Sequence, residues 1–268
     1  MEKKKVALVL SMGGARGVAH IGVIEELVAQ GYEIASIAGS SMGALVGALY
    51  ATGRIEAGKE WICSWSKHKM WQLADISFSR YGLVKGERFV HELKDILPET
   101  SIEDLPIPFV AMATDIAHDC EVRLDQGSLT DAIRASISIP LLFRPFAKDN
   151  CLLVDGGILN PLPLKHVART AGDRLVAVDV NAPIAGKNKR YSPYQLITKS
   201  SRLMMQQITK YQLEQYQPDL LIQLSGNSFD MMEFHHADAI IECGRLAARA
   251  ALARYNSSER MPNACANE

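Results

Sequence analysis

Two glycine-rich turns near the start of the chain each join a short apolar run to a helical pattern. Residues 6–10 are a continuous β-favouring run, and after a glycine turn the apolar residues recur at helical spacing over residues 18–29. Residues 34–38 repeat the pattern, since a turn at residues 39–43 leads into a small-residue helix at residues 44–52. This order of elements predicts an α/β fold with a mainly parallel central sheet. Both turns should then lie at one sheet edge, where α/β proteins bind ligands.

The rest of the chain continues this alternation after an interruption over residues 55–97, which contain all three tryptophans. Further strands are predicted at residues 109–114, 152–154, 175–180 and 220–224, and further helices at residues 129–138, 194–215 and 234–254. We expect residues 5–268 to form a single domain. Its motif-bearing part is residues 5–182, a loop covers residues 181–193, and helices with one strand occupy residues 194–255.

Composition excludes several classes of protein. Hydrophobic residues make up 48% of the 268 residues, which is enough for a core and excludes a disordered chain. The 29 basic and 30 acidic residues leave a net charge of −1, which argues against nucleic acid as a partner. Five cysteines without a CxxC pair indicate a reducing compartment, so we expect a cytoplasmic location. No apolar run approaches the ~20 residues of a membrane span, which leaves peripheral contact with the inner membrane surface as the open membrane role.

The segment GSSMG at residues 39–43 has the pattern GxSxG and stands between a predicted strand and a predicted helix. A sharp strand-to-helix turn needs small residues two before and two after its serine, and Gly39 and Gly43 meet that need. Ser41 is then exposed at a helix N-terminus, whose partial positive charge favours developing negative charge. We predict that Ser41 is a nucleophile. The alternative is a tight turn with a capping serine.

The pattern GxSxG is typical of α/β hydrolases, whose catalytic triad follows the chain order serine, then aspartate or glutamate, then histidine. Several strands precede the serine in that fold, whereas only two precede Ser41 here. His235 and His236 come late enough to complete such a triad, although they lie in a helical pattern. A conventional carboxylesterase with a Ser/His/Asp triad is therefore the alternative enzyme.

The first glycine turn, at residues 13–17, is a weak nucleotide site. Met12 stands in place of the first glycine of GxGxxG, and the lysine of a P-loop is missing. Consecutive backbone N–H groups beside a helix N-terminus instead form a nest that can hold the oxyanion of a tetrahedral intermediate. Arg16 in this turn is predicted either to bind a substrate phosphate or to form a structural salt bridge.

The best carboxylate to activate Ser41 lies in LLVDGG at residues 152–157. Asp155 ends a predicted strand and precedes two glycines, so we expect it to point into the same edge crevice as Ser41. The alternative is an ordinary Asp-Gly turn. Aspartate is a weak base with a reference pKa of ~3.9, and partial burial in an apolar crevice would raise that pKa.

Four sequence signatures occur together in this chain. They are MGGARG at residues 12–17, GSSMG at residues 39–43, the segment at residues 135–140, and DGG at residues 155–157 with Asn160-Pro161. In order and separation they resemble the patatin-like phospholipases, particularly the short bacterial type, over about residues 5–182. The resemblance implies a patatin-like three-layer fold and the hydrolysis of fatty-acyl ester bonds of lipids, with no metal and no cofactor.

The same resemblance implies a role for individual residues. These are Ser41 as nucleophile, Asp155 as base, Gly13, Gly14 and Ala15 as oxyanion donors, and Arg16 and Met42 as substrate contacts. The implied dyad needs no histidine, and the chain departs from the family's usual triple glycine at Met12. A lipid- or nucleotide-binding regulator that keeps the turns without turnover is the non-enzyme alternative.

Several residues outside the signatures have two interpretations. Trp61 and Trp65, with the methionine-rich segments at residues 203–205 and 231–232, either form an acyl-chain entrance and pocket or pack in the core. The sequence KNKR at residues 187–190 either contacts anionic headgroups or lies in a solvated loop.

Overall fold

The computed structural model describes residues 4–66, 69, 76–79, 82–84, 87–140, 142–183, 192–226 and 229–259. Its strands are β1 (Lys4–Leu10), β2 (Tyr32–Ser40), β3 (Ile76–Ser79), β4 (Gly82–Val84), β5 (Phe109–Asp115), β6 (Cys120–Leu124), β7 (Phe146–Lys148), β8 (Cys151–Asp155), β9 (Arg174–Ala182) and β10 (Leu220–Ser225). Its helices are α1 (Ala19–Ala29), α2 (Met42–Ala51), α3 (Ile55–Cys63), α4 (Glu87–Ile96), α5 (Leu129–Ser136), α6 (Pro193–Tyr216) and α7 (Ala237–Glu259). Trp71 and the KNKR segment lie outside the described residues. Within the described ranges, no helix combines the length and the hydropathy that a membrane span requires.

The central sheet is mainly parallel. Five strands run in the same direction in the order β10, β9, β1, β2, β5. Three further strands join it by antiparallel pairing, β6 and β8 with β5 and β7 with β8. Strands β6 and β7 were not predicted from the sequence. Strands β3 and β4 form a separate two-stranded hairpin.

One edge of β5 carries two strands that run toward each other. Residues 37–40 of β2 pair in parallel with residues 109–112 of β5. Strand β8 pairs antiparallel with residues 113–115, while β6 pairs with residues 111–115 and therefore occupies the opposite edge. The carboxyl ends of β2 and β8 consequently meet end to end beside β5.

Alternate side chains of the parallel strands face two different layers. In β1, Leu8 and Leu10 belong to the larger core, which α1, α2 and α7 cover. Ala7 and Val9 face the other way and pack in a second core with Leu164, against which the last turns of α6 lie. The structure therefore confirms the predicted α/β fold, in which helices flank both faces of a mainly parallel sheet.

Helices α1 and α7 approach closely at two glycines. A Cβ atom on Gly22 would overlap the carbonyl oxygen of Ile241, and one on Gly244 would overlap that of Ala19. The carboxylate of Glu26 on α1 also accepts a hydrogen bond of 2.9 Å from Arg249 on α7. This packing holds in place the helix α1, which follows the first glycine turn.

Candidate active site

The turn between β2 and α2 holds Ser41 in a backbone conformation that is unusual for a serine. Its φ is 55° and its ψ is −126°, in the region that favours glycine. A Cβ atom on Gly39 would lie 2.6 Å from the amide nitrogen of Ala44, and one on Gly43 would overlap the carbonyl oxygen of Leu10. The two glycines therefore allow the strand and the helix to approach, as the GxSxG pattern predicts. Ser41 lies at the N-terminus of α2, but the predicted exposure is wrong, since the residue is only 3% exposed.

The Ser41 hydroxyl donates a hydrogen bond of 2.5 Å to Oδ2 of Asp155. The other carboxylate oxygen, Oδ1, accepts a bond of 2.8 Å from the amide of Gly157. Asp155 is only 5% exposed, and this burial raises its pKa to about 6, against the opposing effect of the hydrogen bonds from Ser41 and Gly157. Asp155 is thus a stronger base than an ordinary aspartate and is ionised at neutral pH.

Among the residues that the structure describes, no histidine is hydrogen-bonded to Ser41 or Asp155. The side-chain partners of Asp155 are Ser41 and Gly157, and both carboxylate oxygens are used by them. His235 and His236 lie in a 3-10 turn before α7, where their rings are 4.1 Å apart. The serine therefore reaches its carboxylate directly, without the intervening imidazole that a Ser/His/Asp triad requires.

The first glycine turn lies beside Ser41, but its three predicted oxyanion donors are not equivalent. The amide of Ala15 donates a bond of 2.9 Å to the carbonyl oxygen of Met231, so it is not available as an oxyanion donor in this structure. Gly14 has a φ of +53°, and both Gly14 and Ser41 line one cavity. Within the described part of the chain, the backbone amides of Gly13 and Gly14 have no backbone acceptor outside the turn. Of the three predicted donors, Gly13 and Gly14 therefore stay candidates for binding an oxyanion.

Arg16 is turned into the protein. Its guanidinium donates to Oδ1 of Asn181 at 2.8 and 3.1 Å and to the carbonyl oxygen of Phe229 at 2.9 Å. Burial lowers its pKa to about 10. In place of the predicted salt bridge, the guanidinium bonds to neutral oxygens and ties the glycine turn to two distant segments. Binding of a substrate phosphate by Arg16 stays a prediction.

An apolar cavity of about 100 Å³ opens beside Ser41. It is lined by Gly14, Ser41, Met42, Leu45, Trp65, Phe89, Ile137, Ile139, Leu142, Phe143, Met231, Met232 and Phe234. Met42 and the pair Met231 and Met232 thus form part of the cavity wall, and their contact with substrate stays a prediction. Trp65 is 2% exposed in the core and also lines the cavity. Trp61 packs edge to face against Trp65 in the core, with the ring centroids 4.7 Å apart.

Two hydrogen bonds that support the turn were not predicted. The buried hydroxyl of Ser136 accepts a bond of 3.0 Å from the amide of Ser41. The neighbouring Ser40 hydroxyl donates at 2.5 Å to the carbonyl oxygen of Asn160. Ser136 lies in the signature at residues 135–140, and Asn160 in the one at residues 155–161. The sequence therefore singled out both segments, but it did not indicate what these two residues do.

Among the described residues, one group of side chains has atoms suited to a metal ion. Asp115, His118 and Cys151 bring one ligand atom each to within 4.8 Å of one another. The Asp115 carboxylate already accepts bonds from His118 at 2.6 Å and from the amides of Ala117 and Leu152 at 2.9 and 3.1 Å. These contacts explain the cluster as a hydrogen-bonded turn after β5.

Comparison with known proteins adds to this geometry. A family model described as patatin-like phospholipase matches residues 8–168. An uncharacterized NTE family protein of Mycobacterium bovis is 44% identical over 189 residues, which are 70% of this chain and 52% of that protein. The neuropathy target esterase sws of Drosophila melanogaster is 34% identical over 184 residues, which are 66% of this chain and 13% of that protein. The chain therefore spans about half the length of the mycobacterial relative.

Among solved structures, VipD from Legionella pneumophila superposes with a TM-score of 0.51 at 14% sequence identity. The match covers 95% of this chain and 67% of that chain. At this level of identity the likeness concerns the fold alone.

Proposed function

Because this chain belongs to the patatin-like phospholipase family, we propose that it is a serine acyl hydrolase that cleaves fatty-acyl ester bonds of phospholipids or lysophospholipids. The observation that carries the proposal is the 2.5 Å hydrogen bond from Ser41 to Asp155 beside an apolar cavity. The kinship with NTE family proteins of Mycobacterium bovis and with an esterase of Drosophila melanogaster supports the same class of reaction.

In the first half of the proposed reaction, Asp155 takes the hydroxyl proton as Ser41 attacks the carbonyl carbon of the ester. The negative charge that forms on the carbonyl oxygen is held by the amides of Gly13 and Gly14 and by the N-terminus of α2. The protonated Asp155 then gives its proton to the leaving alcohol. The carbon–oxygen bond of the ester breaks, and the acyl group stays on Ser41.

In the second half, Asp155 takes a proton from a water molecule that attacks the acyl-enzyme. A second oxyanion forms in the same place and collapses, and the proton returns from Asp155 to the Ser41 oxygen as the fatty acid leaves. One carboxylate therefore serves as base and acid in turn. A pKa of about 6 suits both tasks near neutral pH, since the best catalytic pKa lies close to the working pH.

The cavity supports a lipid substrate over a polar one. Apart from Ser41 and Gly14, its lining side chains are aliphatic, aromatic or methionine. Its volume of about 100 Å³ is below the roughly 300–1,000 Å³ of sites that enclose a drug-sized ligand. A long acyl chain therefore requires the wall to move, and Met231 and Met232 are unbranched side chains that can reposition to admit it.

The proposal is tested by measuring fatty acid release from phosphatidylcholine and lysophosphatidylcholine with the unaltered chain and with Ser41→Ala and Asp155→Ala. We expect release by the unaltered chain and none above background by either variant, while circular dichroism shows that both stay folded. Activity in folded Ser41→Ala would refute the nucleophile, and activity in folded Asp155→Ala would refute the base.

A further inference from the structure

Helix α6 extends well past the sheet on the side of the active site. Gln206 donates a hydrogen bond of 2.6 Å to the carbonyl oxygen of Asn181, which is close to the carboxyl end of β9. From there the helix continues over the sheet, where Leu213 and Tyr216 pack against the second core. Residues 193–205 therefore lie beyond the carboxyl edge, and they amount to about 20 Å of helix.

This projecting half of α6 exposes large apolar side chains on one face. Leu196, Ile197, Leu203 and Met204 are each more than half exposed, with Ile197 at 66% and Met204 at 62%. The two pairs are seven positions apart, which is two helical turns, so they share a face. We call these four residues the α6 apolar face. Exposed apolar patches of this kind mark interaction sites.

Arg202 connects the projecting half of α6 to the segment that leads to the acyl cavity. The guanidinium of Arg202, next to Leu203 in the chain, packs against Gly226, at the end of β10. Burial lowers the pKa of Arg202, and the nearby carboxylates of Asp230 and Asp179 oppose that shift. Asp230 precedes Met231 and Met232, which are exposed by 37% and 47% and also line the cavity.

The charge of this region identifies its partner. Residues 192–213 contain three basic residues, Lys199, Arg202 and Lys210, and no acidic one, although acidic residues slightly outnumber basic ones in the whole chain. In the sequence, the segment KNKR at residues 187–190 adds three more basic residues before the helix. Helices with exposed apolar side chains and flanking basic residues bind the interface of anionic bilayers. A second copy of this chain would present the same positive charge, which disfavours pairing through this face.

We propose that the first half of α6, together with Met231 and Met232, docks on a bilayer that contains anionic lipids. Docking places the cavity mouth at the membrane surface, so that an acyl chain passes from the bilayer to Ser41 without crossing water. This proposal rests on the proposed lipid hydrolase function, because docking brings the substrate to Ser41. Binding to the bilayer can nevertheless be measured without turnover.

The test is flotation of the full chain carrying Ser41→Ala, so that no lipid is consumed, with vesicles of phosphatidylcholine alone or mixed with phosphatidylglycerol. We expect binding to the mixed vesicles that weakens as salt is raised. The double substitution Ile197→Gln and Met204→Gln should weaken it by about tenfold or more. The control is Leu246→Gln on α7, which changes a side chain that is 52% exposed away from this face and should leave binding unaltered.

Three results would overturn the proposal. They are equal flotation of the double variant and its parent, equal binding to vesicles with and without phosphatidylglycerol, and a dimer in light scattering that the double substitution splits. The proposed function is tested separately, by measuring whether the chain that retains Ser41 hydrolyses a water-soluble short-chain ester. If that hydrolysis is present and flotation fails, only the docking proposal falls.

Discussion

Ser41 and Asp155 lie 114 positions apart in the chain, and they meet because the strands that carry them run toward each other along one edge of β5. Ser40 pairs with Met112, and Asp155 pairs with the next residue, Ala113. Their separation is therefore set by neighbouring positions of a single buried strand rather than by a loop. Pairing with one rigid strand holds the Ser41 and Asp155 side chains at a constant distance from each other.

The first prediction concerns the pH dependence of turnover. Asp155 has a pKa of about 6 and must be ionised to accept the Ser41 proton. Activity should therefore rise with pH through about 6 and level off above it, and it should fall by about tenfold per pH unit well below the pKa. The measurement is kcat/KM for a soluble ester, whose own ionisation does not change in this range. A midpoint near the ordinary aspartate value would contradict the account.

The second prediction is that the Asp155 carboxylate destabilises the fold at neutral pH. The pKa of Asp155 is higher in the folded chain than in the unfolded one, so the folded state holds the proton more tightly. The contribution of Asp155 to the free energy of unfolding is greatest below about pH 4. It is lost as the pH rises through about 6 and is absent at higher pH. The loss is of the order of 2–3 kcal/mol. Asp155→Asn should therefore unfold at higher denaturant concentration than the unaltered chain at pH 7, and the difference should shrink toward pH 4. Equal midpoints at pH 7 would refute this.

The third prediction tests Ser136 as a positioning residue for the strained turn. Ser136→Ala leaves the buried amide of Ser41 without its acceptor, which should cost about 1–3 kcal/mol of stability and lower kcat about tenfold with little change in KM. Ser36→Ala is the matched control, because Ser36 is also buried but bonds to the carbonyl oxygen of Ala168. It should lose stability and keep its kcat. The same kcat in both variants would rule out the positioning role.

The fourth prediction separates two roles for Arg16. Lysine keeps the charge but cannot donate to both Asn181 and Phe229 in the geometry of a guanidinium. If Arg16 positions the glycine turn, Arg16→Lys should reduce kcat about tenfold or more for a phospholipid and for an uncharged short-chain ester alike. If it binds a headgroup phosphate, KM should rise for the phospholipid only. Arg123→Lys, a change in an exposed ion pair with Asp125, is the control and should alter neither.

Much of the site could be predicted because its strongest signals are local. The turn around Ser41 needs glycine at two fixed positions, and a strand before it and a helix after it are visible in the order of residue types. Asp155 was placed by the rule for carboxyl ends of strands in open α/β sheets, but β8 runs antiparallel to β5. Asp155 therefore lies close to Ser41, as expected, because strands β2 and β8 meet end to end. Local sequence does not reveal that arrangement.

The remaining features depend on contacts between distant segments. The Ala15 amide is bound by Met231, and Arg16 is bound by Asn181 and Phe229, which are 165 and 213 positions away. No pattern within the glycine turn signals these partners. Strand β7 was missed for another reason, since three residues are too few to show a period.

The most direct test of the dyad is the rate at which a fluorophosphonate reacts with the chain, followed by mass spectrometry to locate the adduct. We expect a single adduct on Ser41, a rate lower by about 100-fold or more in Asp155→Asn, and an unaltered rate when His235 and His236 are both changed to alanine. An adduct elsewhere would contradict the account. So would a rate that survives Asp155→Asn but is lost with the two histidines.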